Sequence, residues 1–152
     1  MNYWLFKSEP DAFSITDLAA CPNKTDHWDG IRNFQARNVM RDEMRKGDLG
    51  FFYHSSCAVP GVVGTVQIVR EAYADHTALD PKSKYHDPKS TVDEPRWLMV
   101  DVRLRRTFKR IIPLQTLKST PALEGMSLLK RGNRLSIQPV TTSEWDTIMG
   151  LA

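Results

Sequence analysis

Two β-rich runs, Leu49–Ser55 and Val62–Val69, with Pro60-Gly61 between them, narrow the possible folds more than any other feature of the chain. The first is aromatic-rich and the second is dominated by β-branched residues, the composition of pleated, half-buried strands. Proline presets φ at the first central position of a turn and glycine accepts φ > 0 at the second, so the two runs are expected to lie antiparallel. Gly64 inside the second run predicts either a bulge or a close approach by another part of the chain. Tyr53 and His54, adjacent on a strand, must point to opposite faces. Trp97 to Phe108 is the longest strand candidate, broken by Ile112-Pro113. Its Val100, Val102 and Leu104 alternate with Asp101, Arg103 and Arg105, and the basic run continues to Arg110. That charged face reads either as solvated sheet or as a strip of phosphate contacts.

The remaining elements follow from local chemistry. Tyr3–Ser8 reads as a strand entering the core, and Ser14-Ile15-Thr16-Asp17 fits a capping box that opens a short helix over Ile15–Ala20. Residues 21–27 are polar and loop-like. Asn33 is a favoured N-cap for a helix over Phe34–Met44, on which Arg37, Arg41 and Arg45 form a basic stripe. Asp75 to Arg96 holds three acidic-Pro pairs and predicts a long loop that is either mobile or the rim of a site. Leu114–Lys118 predicts a helical turn, Ser127–Arg134 a basic loop, Leu135–Val140 a last strand, and Thr141–Glu144 the cap of a terminal helix carrying Trp145 and Ile148. No βαβα alternation, GxGxxG or GxxxxGK[ST] occurs. The expectation is a small α+β barrel of five or six strands with short helices packed at its ends.

With 152 residues the chain is expected to form a single domain, residues 1–152. No apolar run approaches the ~20 residues of a membrane span. The N-terminus also lacks a basic segment followed by an apolar one, so a cytoplasmic protein that does not contact the membrane is expected. Cys21 and Cys57 lack CxxC spacing and His27, His54, His76 and His86 lack metal-ligand spacing, so neither metal nor cofactor is indicated. The net charge of +3 permits an anionic partner without requiring one.

The candidate site centres on His27–Asn38. Trp28 beside the Asp29-Gly30 turn can be core, and Asn33 only a cap. Together they can also stack on a planar ring and hydrogen-bond its edge. His54 beside Ser55, Ser56 and Cys57 raises a nucleophile–base pair, but strand alternation separates such neighbours and no nucleophile elbow is present. Catalysis is not expected.

Six segments, in order along nearly the whole chain, carry a family resemblance. They are Tyr3–Pro10, Trp28–Asn38, Phe51–Ser55, Pro60–Gly64, Trp97–Val102 and Arg134–Pro139. Together the chain resembles the EVE domain, one of the PUA-like curved antiparallel or mixed β-barrels. The resemblance implies a non-catalytic nucleic-acid-binding module that holds a modified base in an aromatic-lined pocket, the nucleic acid being DNA or RNA with a single-stranded or flipped base. It implies a pocket drawn from Lys7, Ser8, Trp28, Asn33, Phe34, Tyr53, His54, Ser55 and Trp97. Arg32, Arg37 and Lys7, with Arg131 and Arg134 of the basic loop, are the expected phosphate contacts. Phe34 stands where many relatives carry Tyr. The alternative is a small-molecule or protein-binding module using the same pocket.

Overall fold

The computed structural model describes residues 1–133 and 135–152. Six strands form one mixed sheet: β1 (Tyr3–Ser8), β2 (Thr25–Trp28), β3 (Leu49–His54), β4 (Gly61–Ala74), β5 (Leu98–Pro113) and β6 (Ile137–Val140). Their order across the sheet is β2-β5-β4-β3-β1-β6. β1 and β3 run parallel, and all other neighbours are antiparallel. A parallel pair needs a long crossover. Here residues 9–48 supply it, and they carry helices α1 (Ile15–Ala20) and α2 (Phe34–Asp42) and strand β2. Two further helices, α3 (Leu114–Lys118) and α4 (Thr142–Leu151), follow β5 and β6.

Local sequence chemistry sets the helix starts. Ser14 and Asp17 form a reciprocal capping box on α1, and Thr141 and Glu144 form another on α4. The Asn33 side chain accepts the Ala36 N–H at the start of α2. α2 ends at Asp42, two residues earlier than its apolar pattern suggests. The polar stretch 21–27 proves to be a 3-10 turn, Pro22–Lys24, followed by β2. β2 is a strand because its residues pair with Val100–Arg103 of β5, a partner far away in sequence.

Strand parity divides the interior into two cores. On β1 and β3, Trp4, Phe6 and Phe52 face α1 and α2, while Leu5, Phe51 and Tyr53 face α3 and α4. Both faces of these strands are buried, which explains their near-continuous apolar runs. Phe51 stacks on Trp145 with centroids 4.1 Å apart. Trp4, also buried, donates its indole N–H to the buried Asp48 carboxylate at 3.0 Å.

The expected 49–69 pair forms, but its connection differs from the expected turn. Gly61 is the first residue of β4 and has no positive φ; Ser56 adopts the left-handed conformation instead, at φ 52°. The β3–β4 ladder shifts register beside Gly64 and the β4–β5 ladder shifts four times along its length. Both expectations at Gly64 hold. A Cβ there would sit 2.2 Å from the Arg106 carbonyl oxygen and 2.4 Å from Ile15 Cδ1. Such irregularities bend strands and increase twist. The sheet rolls far enough that Trp28 of β2 meets Phe6 of β1, with centroids at 5.2 Å, and Phe52 of β3 at 5.4 Å. No ladder joins β2 to β1 or β6 among the described residues, so the barrel is curved but not closed.

Candidate functional site

A cavity of about 520 Å³ lies along this open seam, within the size range of ligand pockets. Lys7 and Ser8 at the end of β1 and Ser136 just before β6 form one wall. Asp26 to Trp28 of β2, with Asp29-Gly30-Ile31 after it, form the other. Phe13 and Tyr85 supply further aromatic surface, and Lys84 and Glu9 stand at its border. Trp28 is only 7% exposed and packs edge-on against Phe6, Phe13 and Phe52. It is therefore both core and cavity wall.

The lining carries three carboxylates, Glu9, Asp26 and Asp29, against two ammoniums, Lys7 and Lys84. His27 lies between two carboxylates, with Nδ1 3.2 Å from Asp26 and Nε2 3.6 Å from Asp29. Burial pushes the Asp29 carboxyl above the usual carboxylate range, and His27 partly opposes the shift. Burial also lowers the Lys7 ammonium from its ordinary value.

Arg32, partly exposed, forms an ion pair with a buried carboxylate, Asp75. Asp75 is fully buried at its side chain and accepts the Gly30 N–H at 2.9 Å and an Arg32 N–H at 3.0 Å. The Arg32 guanidinium also donates to the Tyr85 carbonyl at 2.6 and 3.1 Å and to Ile31 O. Gly30 has φ +76°, and a Cβ there would lie 2.8 Å from Cζ of Tyr85. Glycine at this position therefore permits the turn and lets the Tyr85 ring close over it. Lys84 and Tyr85 bring the 75–96 loop to this cavity, and Asp75, Tyr85 and Asp87 tie the loop to its neighbours.

Burial alone would raise the Asp75 carboxyl. Hydrogen bonds from Thr77, Gly30 and Arg32 outweigh it and hold the group below the usual range. Asp87 is also lowered, chiefly by the indole N–H of Trp97, which donates to it at 2.7 Å. A folded pKa below the unfolded value of about 3.9 stabilises the fold fully above that value. The contribution disappears as pH falls from there through the folded pKa. Melting temperature is therefore expected to fall below about pH 4. Thermal melts across that window check this, and a flat profile would contradict it.

Of the nine pocket residues expected from sequence, Lys7, Ser8 and Trp28 meet at the cavity. The Ser8 hydroxyl is already committed, donating to Phe13 O at 2.6 Å. Tyr53 lies outside it, in the second core, where burial pushes its phenol up to about 12. His54 Nε2 accepts the Ile15 N–H at 3.1 Å and so holds the start of α1. Ser55 gives its N–H to the Ser8 carbonyl. Asn33 remains the α2 cap. Phe34 stacks on Trp97 at 4.7 Å, beneath the Arg37 guanidinium at 4.8 Å, in a column separate from the cavity.

The expected phosphate contacts Arg32 and Arg37 are engaged internally. Arg37 donates to Arg96 O and to the Asn38 side chain. Arg131 is exposed, and Arg134 lies outside the described residues. Sequence reasoning missed Phe13, Asp26 and the cavity role of Asp29, whose only local signal was its position in the turn after Trp28. Among the described residues, no group of three or more His, Cys, Asp or Glu side chains is arranged to hold a metal ion.

The EVE domain family model matches residues 2–151. The chain belongs to the EVE domain family. Thymocyte nuclear protein 1 of Mus musculus is 47% identical over 167 residues, covering 99% of this chain and 73% of that protein. A Pseudomonas putida protein of known structure matches this EVE domain with TM-score 0.93 and 50% identity over 98% of each chain. Human THYN1, solved in complex with 5-methylcytosine-containing DNA, matches with TM-score 0.93 and 45% identity, covering 99% of this chain and 97% of that one. The mixed, curved sheet with short helices agrees with the α+β, PUA-like architecture expected of an EVE domain.

Proposed function

We propose that this EVE domain binds DNA without catalysing a reaction and receives an extruded modified cytosine in the seam cavity. The observation that carries the reading is the meeting of aromatic walls (Phe13, Trp28, Tyr85) with a partly buried carboxylate, Asp29, in one cavity. The human relative bound to 5-methylcytosine-containing DNA supports the choice of ligand.

A base taken out of its stack must regain stacking and edge hydrogen bonds. Aromatic stacking returns about 1–3 kcal/mol. The cytosine edge offers an amino donor that a carboxylate accepts, and in the lining the carboxylates Glu9, Asp26 and Asp29 outnumber the ammoniums Lys7 and Lys84. A 5-methyl group buried against an aromatic wall adds about 0.8 kcal/mol, or roughly fourfold in affinity. His54 supports the non-catalytic reading, because its Nε2 lone pair already accepts a backbone N–H.

Fluorescence titration with matched oligonucleotides, with and without 5-methylcytosine, at two salt concentrations tests the proposal. The expected result is salt-sensitive binding about fourfold tighter for the methylated strand. Asp29→Asn should weaken both roughly tenfold or more, since a hydrogen bond to a charged group is worth about 1.5–3 kcal/mol. Equal affinity for both strands, unchanged by Asp29→Asn, would exclude the cavity as a cytosine site. Salt-indifferent binding of a small molecule would favour a metabolite site instead.

A further inference from the structure

We propose that the C-terminal half of β5 is a second nucleic-acid contact that grips the phosphate backbone flanking the base held in the seam cavity. The inference rests on the DNA reading above but on a different surface.

Residues 102–123 contain no carboxylate. Within them Arg103, Arg105, Arg106, Lys109 and Arg110 are all exposed, and none forms an ion pair among the described residues. Without these five, the chain's remaining 16 Lys and Arg face 18 Asp and Glu, so the strand carries the whole positive excess. β2 pairs with β5 only over Val100–Arg103. Beyond Arg103, that side of β5 has no strand partner among the described residues, which leaves an open edge beside the exposed cations.

The groups are arranged rather than scattered. Arg105 donates to the Gln67 side chain at 3.1 Å, and the Arg106 guanidinium lies 5.1 Å from the Phe108 ring centroid. Both contacts orient a cation without neutralising it. Arg106, Lys109 and Arg110 border a hollow of about 500 Å³. From Arg103 to Arg110 the strand extends roughly 23 Å at about 3.3 Å per residue, the rise of about seven base pairs. One end of β5 holds β2, a wall of the cavity, and the other end carries the basic strip. A duplex that inserts a base into the cavity meets these cations along its flank.

The test uses a fluorescent 20-base-pair duplex, with and without a central 5-methylcytosine, titrated over a salt series. The variant replaces Arg105, Arg106, Lys109 and Arg110 by Gln. The control replaces exposed Lys24, Lys46, Lys118 and Lys130 by Gln, which changes net charge equally. The strip variant should lose about 0.9 in log–log salt slope for each phosphate contact removed, up to about 3.6. It should weaken both duplexes equally and keep their affinity ratio, with the control largely unaffected. An equal loss in the control would reduce the strip to a general field effect. An unchanged slope in the strip variant would overturn the proposal and leave the cations as guards against edge-to-edge pairing. If the slope falls but no methyl preference exists, the strip stands and the cavity reading fails; if methyl preference persists with an unmoved slope, the reverse holds. Wild-type protein that binds neither duplex overturns both.

Discussion

Replacing Arg32 by alanine is expected to lower stability by about 3–5 kcal/mol, the usual cost of removing one partner from a buried ion pair. At roughly 2–4 °C per kcal/mol for a chain of this size, the melting temperature should drop by about 6–20 °C. The reason is that the fully buried Asp75 side chain would lose its paired cation and keep only the hydrogen bonds from Gly30 and Thr77. The same substitution frees the Tyr85 carbonyl and releases the rim over Gly30, so ligand affinity should fall even where the protein is still folded. Arg32→Lys should recover little, because a single ammonium cannot span Asp75, Ile31 O and Tyr85 O as the fork does. Full stability in Arg32→Ala, measured by thermal and urea unfolding, would show that the rim does not depend on this pair.

The second large effect is expected at Trp28. Trp28→Ala removes an indole in contact with three aromatic rings and should cost about 3–5 kcal/mol, as for other large-to-small core changes. It also deletes a cavity wall, so binding to a methylated strand should disappear at temperatures where the variant remains folded. Trp28→Phe keeps an aromatic and should retain most of the fold while losing part of the stacking, about 1–3 kcal/mol per base at most. Chemical denaturation and oligonucleotide titration on both variants separate the two roles. A folded Trp28→Ala protein with wild-type affinity would remove Trp28 from the site.

Features encoded within a few residues were legible in the sequence. The capping boxes at Ser14 and Thr141 and the Asn33 cap need only short-range hydrogen bonds, and all three form as read. Parity on β3 correctly separated Tyr53 from His54, but it could not say which face held the cavity. The cavity belongs to neither residue: Tyr53 entered the second core and His54 was taken by α1. Arg32 looked like a phosphate contact because its partners, Asp75 and Tyr85, lie 43 and 53 residues away. β2 escaped notice for the same reason. Its Thr-Asp-His-Trp stretch has no strand signature of its own and becomes a strand only when β5 is beside it.

The open seam has a mechanical consequence. The two walls of the cavity are neighbours in space but are separated in the ladder by four inter-strand steps, from β2 through β5, β4 and β3 to β1. Each step contributes a twist of roughly 20–25°, and the irregular β4–β5 and β3–β4 registers add local bending. The gauge of the pocket is therefore an accumulated angle, set by the coiling of the whole sheet in the way a split ring's gap is set by its curvature. A substitution at a bulge such as Gly64, which touches neither wall, alters that curvature and arrives at the ligand as a change in width.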